Sequence, residues 1–212
     1  MTINLAKNQT INLSKASNSL SQIRFGINWG MKEQVKQVHS GGFLGFGGTT
    51  ETKVVGKTAV DLDASATVFQ GDATDTVSFM KLRNMFISHS GDDTVGDSEQ
   101  DDDDNETITI NLNDAPNSAS EIYLYVNSYS GDKFDDIPYA GIRIYEGRVN
   151  NPEKVIAKFD LVRDNTFKGA KTVILGKLFK EANGDWDFQA IGDAYDVSRI
   201  EPTIQIIKNK YR

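Results

Sequence analysis

Two aspartates share the stretch "DLDASA": Asp61 and Asp63 lie two positions apart, with Leu62 between them. On a strand, alternate side chains point to one face, so both carboxylates face the same way. Aspartate is depleted in strands. Two like charges on one face repel unless a cation lies between them. Further on comes "HSGDDTVGDSEQDDDDNETITINL", residues 89–112. From Asp92 to Glu106 it holds nine acids in fifteen positions and no Lys or Arg. Such a density of one charge disorders a segment. A hard divalent cation reverses that outcome, because Ca2+ takes about six to eight oxygen ligands and flexible, Asp-rich loops supply them. Gly91 and Gly96 bracket "DDTV", where a tight turn aims carbonyls inward. No His or Cys lies inside the cluster, which disfavours Zn2+ and Cu2+. Mg2+ fits less well, since it keeps most of its waters. The loop is not an EF-hand: counted from Asp92 or from Asp101, the glycine required at the sixth position is missing.

Other chemistries have thin support. The chain has no cysteine, so disulfides, thiolate metal sites and cysteine nucleophiles are excluded. Its two histidines are His39, in a Gly-rich segment, and His89, which reads as a strand-end residue. No G-x-S-x-G, H-E-x-x-H or P-loop pattern occurs. Paired carboxylates also serve glycoside hydrolysis, but Trp29 and Trp186 sit in strand-like core patterns rather than in a sugar cleft. The expectation is a protein without enzymatic activity.

The charge is localised. The 212 residues carry a formal net charge of −7, from 30 acids and 23 bases. Without the nine acids of the loop, 21 acids face 23 bases, so the rest is nearly neutral. Nucleic-acid binding is not expected, because a phosphate backbone demands a basic face. The N-terminus has no apolar leader region, and no apolar run is long enough to span a bilayer. A cytoplasmic location is expected.

The elements that must position these groups read as short strands. "SQIRFGINW", "AVDLDASATVF", "TITINL", "EIYLYVNSYS", "AGIRIYEG", "KVIAKFDLV", "KTVILGKLFKE" and "DWDFQAIG" are rich in β-branched and aromatic residues, with turn formers between them. "QTINLSK" adds another, and "TINL" at 2–5 and 10–13 reads as two arms of a hairpin. Strands at this spacing predict an all-β chain, a β-sandwich of two mostly antiparallel sheets in one domain over 1–212. The end of the chain, "DVSRIEPTIQIIKNKY", allows a short helix that Pro202 interrupts. Residues 31–57 break the pattern. Their Gly-rich centre carries Phe43, Leu44 and Phe46, and they read as an inserted hairpin or loop. An exposed tip of that kind would suit a partner or, with calcium bridging to anionic headgroups, a membrane surface.

In their order along the chain, "INLSKASNSLSQIRFGINW", "DLDASATVF", "HSGDDTVG", "DNETITINLNDAPNSASEIYLYVNSYSG", "AGIRIYE" and "TVILGKLFKEANGDWDFQAIGDAY" resemble the bacterial TerD-type tellurium-resistance and stress proteins. The resemblance covers most of the chain. It implies a calcium-binding β-sandwich, without known enzymatic activity, working with other Ter-type proteins in a membrane-linked stress complex, either cytoplasmic or peripheral at the inner membrane. Carried over residue by residue, the D-x-D element falls on Asp61 and Asp63. The G-D-[ND] element falls on Gly91, Asp92 and Asp93, and the following glycine on Gly96. The "DDE" element falls on Asp104, Asn105 and Glu106, with an amide in the middle. The expected ligands of one or two Ca2+ ions are therefore Asp61, Asp63, Asp92, Asp93, Asp104 and Glu106, with Asp97 next in line and carbonyls near Thr94 and Gly96. The chain departs from the family pattern at Met80 and Lys81, where an asparagine pair is common. It also departs in a longer acidic loop and in the insertion at 31–57.

Overall fold

Strand β2 (Gln22–Trp29) sets the pattern of the whole chain: Ile23, Phe25, Ile27 and Trp29 are buried, and the residues between them face outward. The computed structural model describes residues 10–12, 21–40 and 49–212. Its other strands are β1 (Thr10–Asn12), β3 (Lys32–Ser40), β4 (Thr49–Thr58), β5 (Leu62–Gln70), β6 (Ala73–Val77) and β7 (Ile87–His89). Then follow β8 (Glu106–Asn111), β9 (Glu121–Ser128), β10 (Ala140–Arg148), β11 (Asn151–Asp160), β12 (Thr172–Lys180) and β13 (Trp186–Tyr195). One helix, α1 (Ile200–Lys210), comes after the last strand.

The chain is an all-β sandwich. A six-stranded sheet in the order β1-β13-β12-β9-β5-β6 packs on a five-stranded sheet in the order β11-β10-β2-β8-β7, with antiparallel pairing throughout. Ile23, Phe25 and Ile27 of one sheet and Leu62, Ala64, Ala66 and Val68 of the other share one buried apolar cluster. Trp29 and Trp186 both belong to it, as their strand-like contexts imply.

The first eight residues of strand β5 are buried, which is unusual for an antiparallel strand. Its even-numbered side chains meet the sandwich core. The other face carries Phe69, which joins Tyr123, Tyr125, Ile174 and Ile191 under Ile207 of α1. So α1 forms a third layer, on the outer face of the six-stranded sheet. Pro202 does not break this helix. It is the third residue of α1 and lies in the first turn, where a backbone N–H has no intrahelical acceptor to lose.

Strands β3 and β4 pair only with each other, so the insertion is a β-hairpin arm. Phe43, Leu44 and Phe46, the proposed membrane-facing tip, lie outside the described residues, as does the pairing of "TINL" at 2–5. Among the described residues no helix is long and apolar enough to cross a membrane.

Candidate metal centre

The strand parity of "DLDASA" has the consequence read from the sequence. Asp61 precedes β5 and Asp63 is its second residue, and both carboxylates turn to one side. Asp92 of the acidic loop joins them: one carboxylate oxygen from each of Asp61, Asp63 and Asp92 lies within 4.8 Å of the others. Asp63 is buried, Asp61 half-buried and Asp92 exposed, so the cluster runs from the sandwich out to solvent.

The loop reaches β5 because part of that strand has an open edge. β6 pairs with β5 only from Ala66 onward. At the uncovered end the backbone N–H of Ala64 donates to Glu106 Oε2 at 2.8 Å, and that of Val60 donates to the Val95 carbonyl at 3.0 Å. Glu106 is completely buried, and its other oxygen accepts the N–H of Asp93 at 3.2 Å. The Glu106 carboxylate thus ties β5 to the acidic loop. His89, the last residue of β7, stands beside it, with Nε2 3.3 Å from Oε2. His89 Nδ1 accepts the Gly91 N–H, which leaves the proton on Nε2, facing the carboxylate. Nε2 is buried beside that carboxylate and makes no hydrogen bond among the described residues.

Asp93 is occupied differently. One oxygen accepts the N–H groups of Val95 and Gly96, and the other accepts the Asn105 amide. Burial pushes this carboxyl up, but those three donors outweigh it and leave it below the usual carboxylate value. Asp97 accepts from Asn105, Asn28 and the Tyr139 hydroxyl. Burial raises Asp97, and the nearby Asp101 charge adds to it against those donors. Gly96 has φ +77°, and a Cβ there would lie 2.6 Å from Trp29 Nε1. The glycine lets the loop close over the Trp29 indole, which donates to the Val60 carbonyl at 2.8 Å.

Asp104 stands apart from this group. Its carboxylate lies over Gly26, accepts Arg143 Nε at 2.8 Å and accepts the Tyr145 hydroxyl at 2.8 Å. The Asp104 side chain is 1% exposed. The acidic run therefore does have an internal counter-ion, supplied by β10.

At Met80 and Lys81, Lys81 pairs with Asp75 at 2.6 Å, while Asn84 accepts the N–H groups of Phe86 and Ile87. The neighbours that sequence reading missed are Asn127 and Arg199. Asn127 is the cross-strand partner of Asp63, is 1% exposed, and its Oδ1 has no hydrogen-bond donor among the described residues. Asn127 lies on the Tyr123 and Tyr125 face of "EIYLYVNSYS", where its amide donates to Thr203 of α1 at 3.0 Å, and an asparagine at the end of that aromatic row was the available signal. Arg199 stacks on the Tyr129 ring at 4.0 Å and donates to the Tyr129 carbonyl. Tyr129 N–H in turn donates to the Asp61 carbonyl.

Two of the three clustered carboxylates, Asp61 and Asp63, are electrostatically unsatisfied. Asp61 Oδ1 is buried with no hydrogen-bond partner. Burial, then the charges of Asp92, Glu106 and Asp93, push the Asp61 carboxyl up to about 6, with Arg199 opposing. Burial, then Asp61, Glu106 and Asp92, push Asp63 up to about 8. These values exceed those of the unfolded chain, so the folded state binds protons more tightly. Metal-free protein is therefore expected to lose stability as pH rises from about 4, the unfolded carboxylate value, to about 9, one unit above the Asp63 value, with little further loss from this pair beyond that. Urea unfolding with chelator at both ends of the window measures it. Equal stability at the two ends would remove the electrostatic strain inferred here. An all-oxygen carboxylate cluster with a buried, unpartnered oxygen fits a hard cation such as Ca2+ and offers no soft or imidazole ligand.

Comparison with known proteins adds three findings. The TerD domain matches residues 1–202. The tellurium resistance protein TerZ of Serratia marcescens is 35% identical over 91% of this chain and 90% of its own length. General stress protein 16U of Bacillus subtilis is 28% identical over 92% of each. A solved homologue of the telluride resistance protein TerD from Streptomyces coelicolor A3(2) superposes with a TM-score of 0.63 over 85% of this chain and 93% of its own, at 18% identity.

Proposed function

The chain belongs to the TerD family, whose members include tellurium-resistance and general stress proteins, and from that membership we propose that it is a calcium-binding protein of the stress response that works without catalysis. The observation that carries the proposal is the convergence of Asp61, Asp63 and Asp92, with the buried Asp61 Oδ1 left unpartnered. Those three side chains hold the ion, and carbonyls of the acidic loop complete its oxygen shell. Asp93, Asp97 and Glu106 shape the loop around them through the hydrogen bonds described above. Asp104, committed to Arg143, takes no part.

An ion here joins the start of β5 to a loop that contacts the other sheet, so binding stabilises one end of the sandwich. The role that follows is a binding or scaffold module. Its partners are other Ter-type proteins, its place is the cytoplasm, and its membrane association is peripheral. With no Cys and four Met in the chain, direct tellurium ligation by sulfur has little support, and resistance would be indirect.

Calorimetric titration of chelator-stripped protein with Ca2+, and with Mg2+ as competitor, tests the proposal. The expected result is micromolar or tighter binding of one or two ions, with Mg2+ far weaker. No heat and no shift in melting temperature would overturn it.

A further inference from the structure

The arm formed by β3 and β4 is exposed on both faces. Val35 and Val55 are each 59% exposed, and Val54 is 52% exposed. A two-stranded ribbon alone is marginally stable in water, and both of its backbone edges are open. At about 3.3 Å per residue, nine residues carry β3 about 30 Å from its root.

The charge on the arm is unbalanced. Its two strands hold four lysines and two glutamates. Lys36 and Lys53 are direct cross-strand partners, an arrangement that costs stability unless an anion lies against it. Glu51 reaches Lys53 only at 4.0 Å, and no carboxylate lies within ion-pair distance of Lys36 among the described residues. The acidic loop has the opposite imbalance. Glu99, Asp101, Asp102 and Asp103 are exposed, and none has a Lys or Arg partner among the described residues. The two imbalances sit near each other. At the root of the arm, Lys57 Nζ donates to the Ser98 carbonyl, and Met31 N–H donates to the Asp97 carbonyl at 2.9 Å.

We propose that the protein forms a two-fold symmetric dimer in which the Lys36/Lys53 face of each arm lies on Glu99 and Asp101–Asp103 of the other copy. Each lysine pair gains the anion it lacks, and each loop gains a cation. Because arm root and loop share one end of the molecule, a single two-fold axis makes both contacts at once, and the assembly closes at two copies. The contact uses exposed acids outside the Asp61, Asp63 and Asp92 cluster, so it forms in chelator.

Sedimentation velocity in chelator tests it. Wild-type protein is expected to dimerise, with an affinity that falls at least about tenfold when NaCl rises from about 50 mM to 500 mM. K36E/K53E alone and D101K/D102K alone are expected to be monomers, with unchanged circular dichroism to show that they fold. Mixed, their charges become complementary again, and the heterodimer is expected. Three results overturn the proposal: wild-type monomer throughout at low salt, dimerisation that survives both charge reversals, or a mixture that stays monomeric. Wild-type monomer that instead co-sediments with phosphatidylserine vesicles would also overturn it and would assign the arm to a membrane.

Discussion

Asp63→Asn is expected to abolish calcium-dependent stabilisation and, in chelator at pH 8, to melt at a higher temperature than wild type. Both effects come from one carboxylate. The amide keeps the shape of Asp63 but cannot supply the charge that holds a divalent cation. At a free Ca2+ concentration about 1,000 times the dissociation constant, an ion that binds only the folded state stabilises it by about 4 kcal/mol. For a chain of this size that is a melting shift of roughly 8–16 °C, at about 2–4 °C per kcal/mol. The variant is expected to lose nearly all of it. Without metal the sign reverses. Ionised Asp63 repels Asp61, Glu106 and Asp92 inside a desolvated site, and neutralising it removes that repulsion. The gain is on the order of 1 kcal/mol or more. Differential scanning calorimetry of both proteins, with calcium and with chelator, reads all four states. A full calcium shift retained in both Asp63→Asn and Asp61→Asn would sink the ligand assignment.

Arg143→Met is expected to destabilise the protein by about 3 kcal/mol, at the lower end of the range for breaking a buried ion pair. The low end applies because the Arg143 side chain is 17% exposed, whereas Asp104 is 1% exposed. The substitution leaves the Asp104 carboxylate buried with only hydroxyl donors, from Tyr145 and, at 3.4 Å, Thr107. Adding Asp104→Asn to Arg143→Met is expected to restore about half the loss, because the uncompensated charge disappears. Urea unfolding of the two single variants and the double variant gives the coupling. Additive losses would mean that the pair does not interact. The calcium response of Arg143→Met is expected to match wild type, which separates Asp104 as an ion-pair partner from Asp104 as a ligand.

Much of this was legible in the sequence, and the exceptions have physical causes. The eight strands with strong apolar alternation between Gln22 and Tyr195 fall where their patterns place them. Strands β6 and β7 were missed. "ATDTV" is mostly polar, and "ISH" is too short to show a period, so both depend on pairing with neighbours rather than on their own pattern. Pro202 was read as an interruption because its position within the helix depends on where the helix starts, and strand-ending "DVSR" does not mark that point. The shared face of Asp61 and Asp63 follows from a period of two and needs no tertiary information. The arrival of Asp92 beside them needed a loop rich in carboxylates, and composition supplied that. The fate of Asp104 was invisible, because its counter-ion lies 39 positions later, on a strand whose outward arginine looks like any surface residue. Nor could composition separate Asp93 and Glu106, which bind backbone N–H groups, from Asp92, which faces the cluster.

The strand order also sets a timetable. β2 leaves the ribosome early, yet its two neighbours are β8 and β10: Gln22 pairs with Asn111, and Trp29 with Ala140. At about 5–20 residues per second, β2 waits on the order of ten seconds for β10 to be made. During that interval Ile23, Phe25, Ile27 and Trp29 have no sheet to enter. The nascent chain therefore carries a ready aggregation site for about half of its synthesis, until β10 has been made.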